Sequence, residues 1–501
     1  MAQAHFLDQF TEKSTTLLKT RSFRILFWLL IALLLIGSNL PWHLDDYDQA
    51  KQAYVSYEIV NGGDWWFQHT PKMKSATKPP LLGWLSALLY YTTGSWALAW
   101  RIPGCIAALI LLGLMWREGN RLLPEIGGIF AVAIFYINFL TPRIATLVRT
   151  DMFLALSIGL CGWLIFDHLQ RKSPWTIQAK SLFCLSMAAS LLTKGPIIYA
   201  FLLPGMLAWF FFVKPKTSRQ FIWSGWWTWA FPLLIFAAWA ILGILLSDAF
   251  YQDVVVKEFL SRFKDGSTND TRGQPIYFYL PHIIHKLLPW SLLLIGLPIF
   301  QKSLRKNLRE RPELLWLVCW TLGSILLMSL IPSKRVDRLY PIVIPATLLL
   351  TAMLASLWTS PKIRAIATAT LFASILLWTS YFTGLVIWNY NNNTLRIKNL
   401  AIDVQTQLEK HNLQHLAVME SNDEGLAMYL GQRQFYDTTE TIRGMVDGPF
   451  DAVLLPDRRL PRMEKSLGPL DVIWTSPDPG KNEKGHYLLI KWEQKKSPDP
   501  Q

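Results

Sequence analysis

Long apolar runs recur through the first three quarters of the chain and constrain its fold more than any other feature. About eleven of them approach the 17–25 residues that a helix needs to cross a bilayer. They lie near 24–42, 101–117, 124–141, 151–168, 178–193, 196–213, 226–246, 277–300, 312–331, 338–358 and 363–388. Only 17% of the residues are charged, too few for the surface of a water-soluble protein of this size. We therefore expect a mostly α, polytopic transmembrane helical bundle with about 11–13 spans.

Basic residues in the loops predict the orientation of this bundle. If the N-terminus is in the cytoplasm, every short inside loop is basic, as the positive-inside rule requires. The same alternation places the first loop (43–78) and residues 391–501 outside the cytoplasm. The net charge of +14 is explained by this bias and by anionic lipids. Because no zinc-finger or helicase pattern accompanies it, we expect membrane lipids as partners and no nucleic acid.

The chain changes character after Trp388, where it becomes polar. Four short apolar runs follow, in HLAVME, DAVLLP, DVIWTS and HYLLIKW, and one stretch near 402–411 has helical spacing. This pattern predicts a small extramembrane α/β domain at 391–501, after a transmembrane domain at 1–390.

Three carboxylates, Asp45, Asp46 and Asp48, follow the first apolar run, ahead of a helix-compatible stretch from Tyr47 to Val60. A carboxylate beside a membrane surface can act as a general base or hold a divalent metal ion, and Asp45 is a candidate for both roles. A simpler interpretation is that Asp45 and Asp46 are N-cap and first-turn residues of the helix. The sequence leaves both interpretations open.

Basic residues also occur on the predicted outer side, against the orientation bias, and so need a local cause. A phosphate or pyrophosphate ligand would supply one, since Arg binds such groups bidentately. The residues are Lys78, Arg149, Lys194, Lys334, Arg335 and Arg338, with Asp151 close to Arg149. The alternatives are a snorkelling interfacial Lys78 and a plain Arg149–Asp151 ion pair. His282, His285 and Lys286 share one helix face, and we expect them to line a cavity.

Taken in order, the motifs of this chain resemble the C-type membrane glycosyltransferases. The likeness is to the dolichyl-phosphate-mannose protein mannosyltransferase-like group and, within it, to bacterial lipid A aminoarabinose (4-amino-4-deoxy-L-arabinose) transferases. Order and spacing carry the resemblance across almost the whole membrane region. The motifs are Asp45-Asp46, Gly63-Asp64-Trp65, Lys78-Pro79-Pro80-Leu81, Arg101-Ile102-Pro103, Leu192-Thr193-Lys194-Gly195-Pro196, Arg262-Phe263, Tyr279-Leu280-Pro281, Pro289-Trp290 and Lys334 through Tyr340-Pro341.

The resemblance implies an inverting enzyme of the bacterial cytoplasmic (inner) membrane. It would move a sugar from a polyprenyl-phosphate donor to a lipid A, surface-glycan or protein acceptor on the outer side. Asp45 would be the catalytic carboxylate, Asp46 its acidic companion and Lys78 a ligand of the donor phosphate. The further residues expected at the donor phosphate are Lys194, Arg262, Lys334, Arg335, Arg338 and Tyr340, with Arg149 and Asp151 in support.

Two departures from the family pattern bear on the cofactor and the acceptor. The family's Asp-Glu pair is Asp45-Asp46 here, and the Glu before Lys-Pro-Pro is Thr77. A divalent metal therefore remains a candidate cofactor without a predicted ligand set. The main alternative function is a transporter or flippase for a lipid-linked sugar, which predicts an internal repeat and ionisable residues at mid-membrane. A non-catalytic assembly protein on the same scaffold is a further alternative.

Overall fold

Apolar sequence forms helix throughout the part of the chain predicted to lie in the membrane. The computed structural model describes residues 12–213, 216–260, 274–392 and 395–492. Within them, the chain folds into two compact units. The first contains Thr77–Leu82, Arg101–Ile387 and the described residues before Leu40; the second contains Leu40–Ala76, Gly83–Trp100 and the described residues from Trp388 onward.

All the secondary structure of the first unit, within its described residues, is helical. Its helices are Glu12–Lys19, Arg21–Gly37, Ile102–Leu122, Gly127–Tyr136, Thr141–Thr146, Asp151–Arg171, Ile177–Lys194, Ile197–Phe212, Lys216–Ile222, Trp227–Leu246, Asp248–Phe250, Tyr279–Lys286, Trp290–Phe300, Lys302–Glu310, Pro312–Leu330, Val343–Leu357 and Pro361–Asn391. The unit also contains a π-helix at Tyr251–Phe259 and 3₁₀ helices at Ile276–Phe278 and Val336–Ile342.

The predicted helical membrane fold is confirmed, but with fewer spans than the sequence suggested. In the described residues, six helices are long and apolar enough to cross a membrane, or eight if each of two bent helix pairs is one span. This count is lower than the predicted 11–13 spans, because several of the predicted runs form helices that are short or broken in the described residues. Gly127–Tyr136 and Ile197–Phe212 are about 15 and 24 Å long at 1.5 Å per residue, against a hydrocarbon thickness of about 30 Å. The run at 277–300 is bent by 108° between Lys286 and Trp290.

Small residues let the helices of this unit pack closely. Helices Ile197–Phe212 and Pro312–Leu330 meet at Gly205 and Gly323, where a Cβ built on Gly323 would lie 2.7 Å from the Gly205 nitrogen. Such contacts are typical of membrane helices, whose association depends on close van der Waals packing. Trp209, Trp316 and Trp320 fill the core around this contact.

The second unit contains the α/β structure predicted for the C-terminal segment. Its mixed sheet consists of β1 (Leu416–Val418), β2 (Ala452–Pro456), β3 (Asp471–Thr475) and β4 (Tyr487–Lys491) in the order β1-β2-β4-β3. β1 and β2 are parallel and the other two pairs are antiparallel. Each strand coincides with one of the four predicted apolar runs. The helices are Tyr47–Val60, Leu81–Thr93 from Gly83 onward, Trp96–Ala99, Arg396–Lys410, Gly425–Tyr429, Thr438–Val446, Leu460–Leu467 and the 3₁₀ turn Asp457–Arg459.

Candidate active site

A buried ion pair joins two helix ends in the first unit. Lys194 Nζ lies 2.5 Å from Asp151 Oδ1, and the two side chains are only 9% and 8% exposed. Asp151 begins helix Asp151–Arg171, and Lys194 ends helix Ile177–Lys194. The helix dipoles favour a negative charge at the first position and a positive charge at the second. The helix stops at Lys194 because Gly195 adopts φ +72°, a conformation that suits glycine.

More than one cation surrounds Asp151. Besides Lys194, the Arg149 and Lys78 side chains act electrostatically on its carboxylate. Lys78 Nζ also lies 3.9 Å from Glu258 Oε1. Its backbone is held by Pro79 and Pro80, both buried, since proline fixes its own φ and restricts the residue before it. The fold thus brings three of the predicted cations, which are far apart in sequence, to one carboxylate.

The segment from Lys334 to Arg338 supplies further cations. Lys334 is 4% exposed and its Nζ donates to the Gln274 carbonyl at 2.8 Å. Arg338 Nη1 donates to the Ser333 carbonyl at 2.6 Å. Arg149 Nη1 and Arg335 Nη2 lie 2.6 and 3.8 Å from the same oxygen, Asp337 Oδ2.

Asp337 therefore ties the Lys334–Arg338 segment to Arg149, two residues before Asp151. The group formed in this way contains six cations and three carboxylates. They are Lys78, Arg149, Lys194, Lys334, Arg335 and Arg338, and Asp151, Glu258 and Asp337. We call these nine residues the basic cluster.

Two aromatic residues lie beside the basic cluster. Tyr340 is fully buried, and its hydroxyl is 3.6 Å from Met152 Sδ. Tyr279 is also buried and interacts with Arg335 and Arg338. Next to Tyr279, His282 and Lys286 line a cavity of about 20 Å³, enough for about one water molecule. His285 instead packs against Phe139, with ring centroids 6.0 Å apart.

The first-loop carboxylates belong to the second unit. Asp46 is the N-cap of helix Tyr47–Val60, where its side chain accepts the Gln49 N–H at 3.1 Å. The capping interpretation is thus realised for Asp46. Asp45 is 2% exposed, and its Oδ2 accepts the N–H of Arg396 at 3.1 Å. Its other oxygen, Oδ1, is buried without a hydrogen-bond partner in the described part of the chain.

Burial raises the pKa of Asp45 to about 6. Loss of hydration is the largest cause, because it disfavours the charged form, and nearby Asp423 acts in the same direction. Backbone N–H groups of Arg396 and Ile397 and the Lys481 ammonium oppose the shift. A carboxyl group with a pKa near neutrality is suited to exchange a proton with a substrate.

The described residues do not offer a metal centre built only from protein side chains. Within 12–213, 216–260, 274–392 and 395–492, no three or more His, Cys, Asp and Glu side chains are arranged to hold a metal ion. Asp45 has Asp423 as an electrostatic neighbour.

Some contacts of the predicted residues could not be read from the sequence, and one predicted residue is outside the structure. Arg262 lies outside the described residues. Glu258 and Asp337 were not predicted as site residues, although they contact Lys78 and Arg149. Asp337 could have been recognised as a site residue from the sequence, because it lies among three predicted cations. Glu258 could not, because it is remote from Lys78 in sequence and contacts it only in the folded chain.

Comparison with known proteins defines the class of fold. No family model matches the chain. Its structure superimposes on that of ArnT from Cupriavidus metallidurans bound to undecaprenyl phosphate with a TM-score of 0.70, over 96% of this chain and 99% of that one, at 15% identity. The archaeal oligosaccharyltransferase AglB from Archaeoglobus fulgidus matches with a TM-score of 0.52, over 95% of this chain and 74% of that one, at 10% identity. The fold is thus that of the C-type membrane glycosyltransferases, and the resemblance predicted from the sequence is confirmed.

Sequence similarity points to a particular group within this class. The chain is 24% identical over 354 residues to the undecaprenyl phosphate-alpha-4-amino-4-deoxy-L-arabinose arabinosyl transferase of Yersinia pestis, covering 68% of this chain and 60% of the relative. It is 25% identical over 341 residues to the protein of the same name from Serratia proteamaculans, covering 65% and 58%. The matches thus cover about three fifths of the length of these curated relatives.

Proposed function

We propose that this chain is a membrane glycosyltransferase that moves a sugar from a polyprenyl-phosphate donor to a hydroxyl-bearing acceptor. The observation that carries the proposal is the basic cluster, in which cations from distant parts of the chain gather around Asp151 and Asp337 in a helical membrane unit. Ionisable residues gathered in a membrane unit usually mark a site for a charged ligand, and six cations in one place suit an anion. A lipid phosphate has the required charge, and apolar helices can accommodate its chain.

The reaction requires one bond to form and one to break. The acceptor hydroxyl oxygen attacks the anomeric carbon, the bond from that carbon to the phosphate oxygen breaks, and the phosphate leaves with the bonding electrons. Direct displacement inverts the anomeric configuration. Lys78, Lys194 and Arg335 would stabilise the negative charge that develops on the leaving phosphate.

Asp45 would accept the proton of the attacking hydroxyl. This role is supported by its burial, by its pKa of about 6 and by its Oδ1, which has no hydrogen-bond partner among the described residues. Asp46 would act indirectly, since its side chain caps the helix that follows. The relative from Yersinia pestis is named for an undecaprenyl phosphate-linked sugar, which fits the proposed donor. Lipid A is a candidate acceptor through the resemblance described in the sequence analysis, and surface glycan and protein are alternatives.

The proposed location follows from the charges of the loops. The chain would lie in the bacterial cytoplasmic membrane, with residues 1–390 as the transmembrane glycosyltransferase domain. Both the 43–78 loop and the α/β domain at 391–501 would lie on the outer side, where a lipid-linked donor is reached from the outer leaflet.

A donor-binding experiment tests the role of the basic cluster. Lys78→Met keeps the length of the side chain and removes its charge. Loss of a hydrogen bond to a charged group costs about 1.5–3 kcal/mol, so we expect affinity for undecaprenyl phosphate to fall about 10- to 100-fold. The matched control is Lys398→Met, which removes an exposed lysine of the second unit. Native mass spectrometry of the purified protein would measure binding.

The alternative function, transport of a lipid-linked sugar, predicts a different result. A transporter would bind the same lipid but move it intact, so the sugar–phosphate bond would remain uncleaved after incubation with acceptor membranes. Equal binding by Lys78→Met and wild type would remove the phosphate-binding role of the basic cluster. Binding without cleavage of the donor would favour transport.

A further inference from the structure

The second unit contains a cavity of about 330 Å³ that the roles proposed above leave unused. One wall is the start of helix Arg396–Lys410, and the other is the loop that follows β3. Its volume is at the lower end of the range for small-molecule pockets, about 300–1,000 Å³. The polar side chains that line it are Arg396, Asn399, Asp403, Ser476, Asp478 and Lys481.

The loop wall is held in place by hydrogen bonds. Ser476 donates its N–H to the Tyr487 carbonyl at 2.8 Å and its hydroxyl to the Asp478 carbonyl at 2.7 Å. The Gly480 N–H donates to the Gly485 carbonyl at 3.0 Å. Because the loop is already ordered, little of its conformational entropy would be lost when a ligand binds.

The chemistry of the walls selects a class of ligand. Arg396 and Lys481 donate hydrogen bonds, Asp403 and Asp478 accept them, and Asn399 does both. A simple anion would be repelled by the two carboxylates. An acyl chain would displace water from all four charged groups without forming hydrogen bonds in its place, which is unfavourable. A sugar presents alternating hydroxyl donors and acceptors, and a charged substituent on the sugar would pair with one of the four ionic groups. Ile397 and Leu400 add apolar surface for the C–H groups of a sugar ring.

The cavity also adjoins the carboxylate proposed to take the acceptor's proton. The backbone N–H of Arg396 donates to Asp45 Oδ2, and the Lys481 ammonium acts electrostatically on Asp45. The Arg396 guanidinium meanwhile reaches the Pro479 carbonyl at 3.3 Å, across the cavity from its own helix. One lining residue, Arg396, therefore forms a hydrogen bond with Asp45, and a second, Lys481, acts on it through its charge.

We propose that this cavity binds a charged sugar residue of the acceptor. The inference rests on the proposed function and narrows it, since it identifies the acceptor as a glycan or glycolipid whose sugar carries an amino or acidic group. A bare acyl chain would leave the four charged groups of this pocket without hydrogen-bond partners.

Ligand binding can be tested separately from catalysis. Saturation-transfer NMR on the full-length protein in detergent would use glucose, glucosamine and galacturonic acid as probes. We expect transfer to at least one charged sugar, and a loss of at least tenfold in its affinity in Arg396→Ala or Asp403→Asn. Arg396→Ala keeps the backbone N–H that Asp45 accepts, so its effect reports on the cavity alone. Lys398→Ala, on the same helix but outside the cavity, is the matched control.

Kinetics supply the second readout. In a transfer assay, the Arg396→Ala and Asp403→Asn variants should raise the acceptor KM about tenfold and leave the donor KM unchanged. Binding of no charged sugar above glucose, or an equal loss in Lys398→Ala, would overturn the proposal. If the wild type transfers no sugar while the NMR signals depend on Arg396 or Asp403, the cavity stands and the proposed function fails.

Discussion

The Lys194–Asp151 pair allows a prediction whose size follows from the structure. Both side chains are more than nine-tenths buried, and removing one partner of such a pair leaves a charge without compensation, at a cost of about 3–5 kcal/mol. The substitutions Lys194→Met and Asp151→Asn should not destabilise the fold equally. In Lys194→Met, the carboxylate keeps the fields of Arg149 and Lys78. In Asp151→Asn, Lys194 loses the carboxylate that contacts it in the described residues.

We therefore expect Asp151→Asn to lower the free energy of unfolding by about 5 kcal/mol and Lys194→Met by about 3 kcal/mol. The double variant Asp151→Leu with Lys194→Met replaces both charges with apolar groups, so it should be more stable than Asp151→Asn. Unfolding by a denaturing detergent, followed by circular dichroism, measures the differences. Asp167→Asn is a control, because its partners Arg121 and Arg171 are 28% and 46% exposed and a more solvated pair is weaker. The reasoning is refuted if Lys194→Met is the more damaging change, or if the double variant is as unstable as Asp151→Asn.

The remaining predictions concern the first loop and the orientation of the chain. Asp45→Asn should lower transfer by roughly a hundred- to ten-thousandfold, the usual contribution of a general base, while donor binding is kept. Asp46→Asn should have a much smaller effect, because asparagine also caps helices well; equal losses would argue against a proton-accepting role for Asp45. Because Asp45 must be ionised to accept a proton and its pKa is about 6, kcat/KM should fall as the pH drops below about 6 and be flat above it. A flat profile from pH 5 to 8 would contradict this. In a cysteine-free background, Lys74→Cys and Glu409→Cys should react with an impermeant maleimide in intact spheroplasts, whereas Arg309→Cys should be protected; the reverse pattern would invert the topology.

Much of the fold could be predicted from local patterns. The helix Tyr47–Val60 begins and ends where the sequence placed it, because Asp46 caps it and the Asn61-Gly62-Gly63 turn ends it. The strands β1 to β4 follow from four short apolar runs between turns. The number of spans was less predictable, since apolar composition does not distinguish a full span from a helix such as Gly127–Tyr136, which is fully buried but too short to cross.

The candidate site depended on contacts that local patterns cannot supply. The basic residues could be recognised because their charges opposed the orientation bias. The bond between Asp45 and Arg396 joins residues 351 positions apart, and the contact between Lys78 and Glu258 is likewise remote in sequence. No spacing rule predicts either contact. The capping role of Asp46, by contrast, was available from its place before the helix.

Mass spectrometry of cell-envelope glycolipids and glycans tests the central claim most directly. Cells would carry no gene, the wild-type gene or the gene for Asp45→Asn, with equal amounts of the two proteins in the membrane. We predict one added sugar mass on an envelope acceptor in the wild type alone, together with accumulation of a polyprenyl-phosphate sugar in the other two. The same acceptor masses and the same donor level in all three strains would contradict the claim that this chain transfers sugar from a lipid phosphate.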